Sequence, residues 1–282
     1  MEDVQKVWKS YSGKVAWPTV ALFLLCVCGF AGMSVAYAAG VVPLWAALIS
    51  NCLVGYMAFT PLHEASHSNI GTRKGSFRWL DGVIGWISGA LLFAPFAAFK
   101  VLHLRHHSNT NNPEADPDHW MATSNPVLLV LRGLTIIPRY YYHFFTFADK
   151  QARDKMPATL LGLLGLGAVY GFWAYFTNPW EPLLLWVAPA LIALMLLAIV
   201  FDWLPHYPHR SRERFQNTRV IPGSLLNTLL LGQNYHLIHH LYPTVPFYSY
   251  KPVFEETRGF LEEKGAPIGW RNNSGIWQDA SA

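Results

Sequence analysis

Long uncharged stretches alternate with short polar ones along this chain, and the alternation predicts helices that cross a bilayer. No charged residue occurs between Lys14 and Glu64, a stretch long enough for two spans of about 20 residues each with a tight turn near Gly40. A second uncharged pair runs from Met156 to Trp180 and from Pro182 to Phe201, parted by TNPWEP. The predicted spans are 16–38, 42–61, 158–177 and 183–203. A fifth apolar stretch, Gly82 to Phe99, carries Gly82, Gly85, Gly89 and Pro95, which permit a re-entrant or interfacial hairpin where protein covers the exposed backbone. The pattern predicts an all-α integral membrane protein: four transmembrane helices in two hairpins, a re-entrant segment near 82–99, and a cytosolic cap.

Composition strengthens that reading. Hydrophobic residues are 52% of the chain and charged residues 13%, about half the usual charged share of a soluble protein. One membrane domain, 1–282, accounts for the whole length, with no fused redox module evident. The charged N-terminus and the long apolar run after it read as a signal anchor, since a second span follows at once. Cys26, Cys28 and Cys52 all fall in predicted spans, where cysteine behaves as a small hydrophobe. With these spans, all 21 Lys and Arg lie in the N-terminal, central and C-terminal segments, leaving none in the two short outer turns. The positive-inside rule then places both termini and the central segment in the cytoplasm. The net charge of +4 sits on that face, where it can meet anionic lipid or an acidic protein; no nucleic-acid partner is expected.

Eight histidines change the picture from a membrane anchor to a chemical centre. They fall in three clusters, HEASH at 63–67, HLRHH at 103–107 and HLIHH at 236–240. Residues three and four apart share a helix face, so His63 and His67 point together, as do His103, His106 and His107, and His236, His239 and His240. Packed imidazoles repel when charged and must be desolvated when neutral, a cost that metal binding offsets. Eight imidazoles exceed one tetrahedral zinc shell and suit two metals with open positions. If 82–99 crossed the bilayer, the first two clusters would face opposite compartments, so a shared centre requires the re-entrant reading. His119 and His143 read as ordinary hydrogen-bonded histidines.

Other polar residues qualify the centre. Asp202 sits at the end of the last apolar run, in LLAIVFDWLPHYPHR, and an ionizable group at such depth is a functional candidate by default. Either His206 or His209 could supply a ninth imidazole, with Asp202 as a supporting partner; Pro205 and Pro208 prevent spacing from choosing between them. NTNNPEADPDHW is rich in turn formers and reads first as a solvated loop, although Asp116 and Asp118 could orient imidazoles. Gln233, Asn234 and Tyr235 precede the third cluster as candidates for supporting or oxygen-pocket roles, Asn234 first as a supporting residue. The Tyr140, Tyr141 and Tyr142 run suits an interfacial helix.

The order HEASH, HLRHH, HLIHH with paired spans between resembles the membrane fatty acid desaturase and hydroxylase superfamily, over about Pro61 to Pro252. Within it, HLRHHSNTNNPEADPDH, FDWLPHYPH and LGQNYHLIHHLYPTVPFYSYKP look like the desaturase-like β-carotene hydroxylases, and LPHYP is also similar to carotenoid ketolases. The resemblance implies iron ligation by His63, His67, His103, His106, His107, His236, His239 and His240 and favours His206 as the ninth ligand, with no catalytic residue beyond the metal centre. It implies two non-haem irons, dioxygen as co-substrate, a lipophilic substrate from the bilayer and an external ferredoxin-like electron donor. The expected reaction is hydroxylation of a carotenoid ring, with acyl-chain desaturation or hydroxylation as the alternative. Two other classes fit the residues less well. HEASH matches the HExxH zinc motif, in which Glu64 would be the base of an intramembrane protease and Asp81 a third ligand, but this leaves the six later histidines unexplained. A metal transporter would want its ligands within the spans.

Overall fold

The computed structural model describes residues 2–72, 75–147, 149–271 and 277–278; Arg73 and Lys74, two of the predicted cytosolic charges, lie outside the described residues. In chain order the helices are α1 (Glu2–Ser10), α2 (Trp17–Ala38), α3 (Leu44–His67), α4 (Trp79–Leu91), α5 (Phe96–Asn109), α6 (Pro126–Leu134), α7 (Ile136–Thr146) and α8 (Lys150–Phe176). There follow α9 (Trp180–Trp203), α10 (Ser224–Leu229), α11 (His236–Leu241) and α12 (Tyr250–Glu263). The all-α expectation needs one small amendment, a ribbon of two short antiparallel strands, Trp270–Arg271 and Trp277–Gln278.

Helices α2, α3, α8 and α9 hold 22 to 27 residues each and are apolar enough to cross a membrane. At 1.5 Å per residue they reach about 33–40 Å, more than the roughly 30 Å hydrocarbon core. Their outer faces leave Leu24, Leu53, Leu161, Leu164 and Phe172 more than half exposed, an apolar surface that lipid covers at no cost.

Two spans overrun their expected ends, because apolarity marks where the bilayer lies while hydrogen bonding decides where a helix stops. Helix α3 continues through Pro61 to His67 and ends where Ser68 turns left-handed, at φ 58°; the first histidine cluster therefore rides on the span itself. Helix α8 starts at Lys150 rather than 158, because the Asp149 carboxylate caps it by accepting from the Ala152 N–H at 2.8 Å.

Helices α4 and α5 meet at a bend of 99°, which occupies the expected re-entrant stretch. The glycines make the bend possible: a Cβ at Gly89 would lie 2.5 Å from the Ala94 carbonyl oxygen, and one at Gly85 would lie 2.6 Å from the Phe96 ring. Leu62, Ile84, Leu92, Phe96, Leu197 and Phe201 join α3, α4, α5 and α9 in one apolar core. Leu237, Ile238, Tyr250, Val253 and Phe254 form a second beneath α11 and α12. The histidines collect between these two cores.

Candidate metal centre

Helices α3, α5 and α11 each deliver their histidines by the spacing that their sequences carry, and the segment after α9 adds one more. The nine imidazoles sort into two groups. His63, His67, His103, His107 and His239 form the first, and His106, His206, His236 and His240 the second; within each group the ligating nitrogens lie within 4.8 Å of one another. In the first, His67 Nε2 is 2.7 Å from His103 Nε2, and His239 Nε2 is 3.0 Å from His63 Nε2 and 2.8 Å from His107 Nε2. In the second, His240 Nε2 is 3.2 Å from both His106 Nε2 and His236 Nε2. The His206 ring packs edge-on against His106, His236 and His240 at centroid distances of 4.7 to 5.1 Å.

Electrostatics keep most of these rings in the form that binds metal; His106 is the exception, since burial lowers it but Asp116 and Asp118 together raise it to about 9. Burial, with repulsion from neighbouring imidazoles second, holds His206, His236, His239 and His240 well below the ordinary histidine value. Neutral rings turned nitrogen to nitrogen cannot satisfy one another, since each carries one N–H. His206 is 3% exposed and neither ring nitrogen finds a hydrogen-bond partner among the described residues. A cation in each group would resolve both problems, and five and four nitrogen donors suit an imidazole-rich first-row metal.

Supporting contacts fix which nitrogen faces inward. His106 Nδ1 lies 2.8 Å from Asp116 Oδ1 and 3.2 Å from Asp118 Oδ2, which leaves Nε2 as the free donor. His239 Nδ1 donates to Tyr250 Oη at 3.0 Å, and the Tyr250 hydroxyl donates to Glu64 Oε1 at 3.4 Å. Each group thus has a buried acid behind one of its histidines. The expectation of a solvated charged loop is overturned here: Asp116 and Asp118 are buried, and Asp116 also accepts from the Asn111 and Asp118 amides. Burial raises the Asp118 carboxyl to about 6, opposed by His106. Turn composition hid this, because the same residues that favour loops also bind their own backbone.

The remaining candidates separate. His209 stands apart from both groups; its Nε2 donates to the Asp202 carbonyl at 3.2 Å, and burial lowers it to about 4. Asp202 engages Tyr140 rather than an imidazole: the Tyr140 hydroxyl lies 3.1 Å from Asp202 Oδ2 and 2.7 Å from Asp118 Oδ1. That contact corrects a purely interfacial reading of the tyrosine run. Asn234 donates from Nδ2 to the Ile221 carbonyl at 2.9 Å and braces the backbone behind the third cluster; the amide that lines the metal cavity is its neighbour Gln233. Glu64 is fully buried against Tyr250, and both Asp81 oxygens accept backbone N–H bonds, from Ile70 at 2.9 Å and Gly71 at 3.1 Å. Neither acid is placed as a zinc-protease mechanism needs. His119 and His143 lie outside both groups.

An apolar slot runs up to this centre. Phe59 and Leu62 of α3, Ala98 and Leu102 of α5, Ile137 of α7 and Leu197 of α9 line it, together with the polar His103, Asp118, Tyr140 and Asp202.

Comparison with known proteins agrees with this architecture. The fatty acid desaturase family model matches residues 39–272. The chain is 23% identical over 269 residues to the sn-1 oleoyl-lipid 12-desaturase of Picosynechococcus, covering 85% of this chain and 75% of that protein. It is 25% identical to the dihydrorhizobitoxine desaturase of Bradyrhizobium elkanii, covering 67% and 60%. It is 23% identical to the sn-1 acyl-lipid omega-3 desaturase (ferredoxin) of Synechocystis, covering 71% and 63%.

Proposed function

Because this chain belongs to the fatty acid desaturase family, a family of multi-pass membrane, dioxygen-dependent di-iron oxidoreductases, we propose that it oxidises an unactivated C–H bond in the acyl chain of a membrane lipid. The observation that carries this reading is the division of nine histidines into groups of five and four beside an apolar slot whose lining includes His103. We assign His63, His67, His103, His107 and His239 to one iron and His106, His206, His236 and His240 to the other. Two irons with open positions supply dioxygen activation.

The protein's own residues supply place and order. Burial keeps His206, His236, His239 and His240 neutral, Asp116 and Asp118 orient His106, the Tyr250–Glu64 pair orients His239, and the slot between α3, α5, α7 and α9 admits an apolar chain from the bilayer while excluding water. The first two clusters meet at 2.7 Å, so α4 and α5 enter and leave the membrane on one side. The absence of Lys and Arg from the outer turns supports a cytoplasmic position for the centre and both termini. There an external one-electron donor of the ferredoxin type can reach it, as the name of the Synechocystis relative implies for that protein.

A second reading, hydroxylation of a carotenoid ring, is favoured by the residues around the second and third clusters and by FDWLPHYPH. Expression in a β-carotene-accumulating host, with parallel analysis of fatty acids and carotenoids, separates the two. New acyl products support the first reading and hydroxylated carotenoid the second. Purified protein should hold about two irons per chain; one zinc with full activity would overturn both.

A further inference from the structure

Helices α6 and α7 turn apolar side chains outward. Val127, Val130, Leu131 and Leu134 fall at i, i+3, i+4 and i+7, a single face of α6, and are 67%, 44%, 53% and 59% exposed. A helix resting on a protein surface in water turns such a stripe inward. On α7, Ile137, Tyr140 and Tyr141 line the slot, while Tyr142 and Phe145 are exposed. This wall of the slot is thus apolar or aromatic on its outer side as well.

The place of this hairpin along α9 identifies what covers it. Gly133, near the end of α6, packs so closely on α9 that a Cβ there would lie 3.1 Å from Met195 Cγ and 3.4 Å from the Met195 carbonyl oxygen. Met195 precedes the end of α9 at Trp203 by eight residues, which puts it about 12 Å inside the span. Its neighbours on that span, Leu191 and Leu196, are exposed like the lipid-facing residues of the other spans. At the corner between α6 and α7, the Thr135 amide and hydroxyl donate to the Leu131 carbonyl at 3.2 and 2.8 Å, and the Thr135 carbonyl accepts from the Arg139 amide at 3.1 Å. Backbone turned toward lipid requires such internal pairing. The two charged residues of the hairpin fold back from it: the Arg132 and Arg139 guanidiniums lie 5.2 and 5.0 Å from the Trp120 ring, and Arg132 donates to the Ala122 carbonyl at 2.8 Å. That is how a cation with its stem in hydrocarbon behaves.

We propose that α6 and α7 dip as a hairpin among the acyl chains of the leaflet on the side of the metal centre, and that the seam between α7 and α9 is the doorway by which an acyl chain of that leaflet enters the slot. This rests on the oxidation of a bilayer lipid proposed above and names its point of entry. Ile137 of α7, Leu194 of α9 and Ala94 at the α4–α5 bend all line the slot and are only partly buried. Leu194 joins them, since it packs with Ile137 against one core and with Ala94 against another. The opposite edge of α7 is closed, because Phe144 is fully buried in a cluster with Ala98, Val101 and Leu102 of α5. Tyr140 sets the width of the seam: its hydroxyl, 3.1 Å from Asp202 Oδ2, ties α7 to α9.

Two measurements on the full chain in oleoyl phosphatidylcholine vesicles test this. With Cys26, Cys28 and Cys52 replaced by alanine, nitroxides attached at Val127→Cys, Leu131→Cys and Leu134→Cys should lose relaxation by a water-soluble nickel chelate, and gain relaxation by dioxygen, in that order. A nitroxide at Arg212→Cys, exposed in the loop after α9, should stay open to the chelate. Chelate access at Leu131 and Leu134 equal to that at Arg212 overturns the insertion. The second measurement uses phosphatidylcholine with a diazirine in its acyl chain, illuminated with the iron-loaded protein, and maps the adducts by mass spectrometry. Adducts should fall on α6, on Ile137 and Leu194, and on the buried slot residues Leu102 and Leu197. Ile137→Trp and Leu194→Trp, which overfill the seam, should keep the α6 adducts and the iron but cut the Leu102 and Leu197 adducts about tenfold. Native protein without slot adducts, or slot adducts undiminished in both variants, overturns the doorway. With reduced ferredoxin and dioxygen supplied, a lack of any oxidised lipid instead overturns the reading beneath it and leaves both measurements standing.

Discussion

Replacing Tyr250 by Phe should weaken one iron and leave the other. The hydroxyl it removes is fully buried, accepts from His239 Nδ1 at 3.0 Å and donates to Glu64 Oε1 at 3.4 Å. Glu64 Oε2 already lacks a hydrogen-bond partner among the described residues, so the variant strands its carboxyl further and leaves the His239 N–H without an acceptor. Two net hydrogen bonds at about 1 kcal/mol each, with a further penalty of about 1–3 kcal/mol for the stranded group, are shared between folding and metal binding. Loss of a comparable supporting residue weakens metal affinity about 10–100-fold. Anaerobic iron titration of the metal-free protein against a competing chelator should show one weakened step and one unchanged step. Asp116→Asn should weaken the other step, through His106. Native affinity at both steps in Tyr250→Phe, or equal weakening of both, would refute the assignment of His239 and His106 to separate irons.

His206→Ala should lose iron from one group and with it product formation, whereas His209→Ala, whose ring bonds only the Asp202 carbonyl, should keep most of both; equal tolerance would remove His206 from the site. Cysteines placed near Gly40 and at Asn178 should label from outside and those at Ser68 and Ser108 only from the cytoplasm, and external labelling of Ser108→Cys would break the shared centre. Metal-free protein should lose thermal stability as pH falls below about 6.5. Burial lowers His206, His236, His239 and His240 in the folded state, so the unfolded chain takes up more protons, at up to about 1.4 kcal/mol per pH unit per histidine. A melting temperature that stays flat from pH 7.5 to 5 would contradict that burial.

How much was legible in the residues depended on the range of the physics. Spans came through because apolarity is a local property summed over about 20 residues, and their ends were misplaced because caps such as Asp149 act on single backbone groups. The eight clustered histidines were legible because helical spacing alone puts them on common faces. Their partition was not. His239 leaves its cluster neighbours His236 and His240 to join His63 and His67, and His106 parts from His103 and His107, because adjacent ring positions on one helix turn diverge toward opposite sides. No spacing rule states which side. Asp116 and Asp118 were misread for a related reason: a turn-forming loop and an acid aimed at His106 use the same residue types, and only tertiary burial tells them apart. Gln233 was a candidate only by its place before the third cluster, and the fold sets it apart from its neighbours as a buried amide with both atoms unpartnered. Where function rests on one side chain meeting another far along the chain, as Asp202 meets Tyr140 across 62 positions, sequence supplies the chemistry and the fold must supply the encounter.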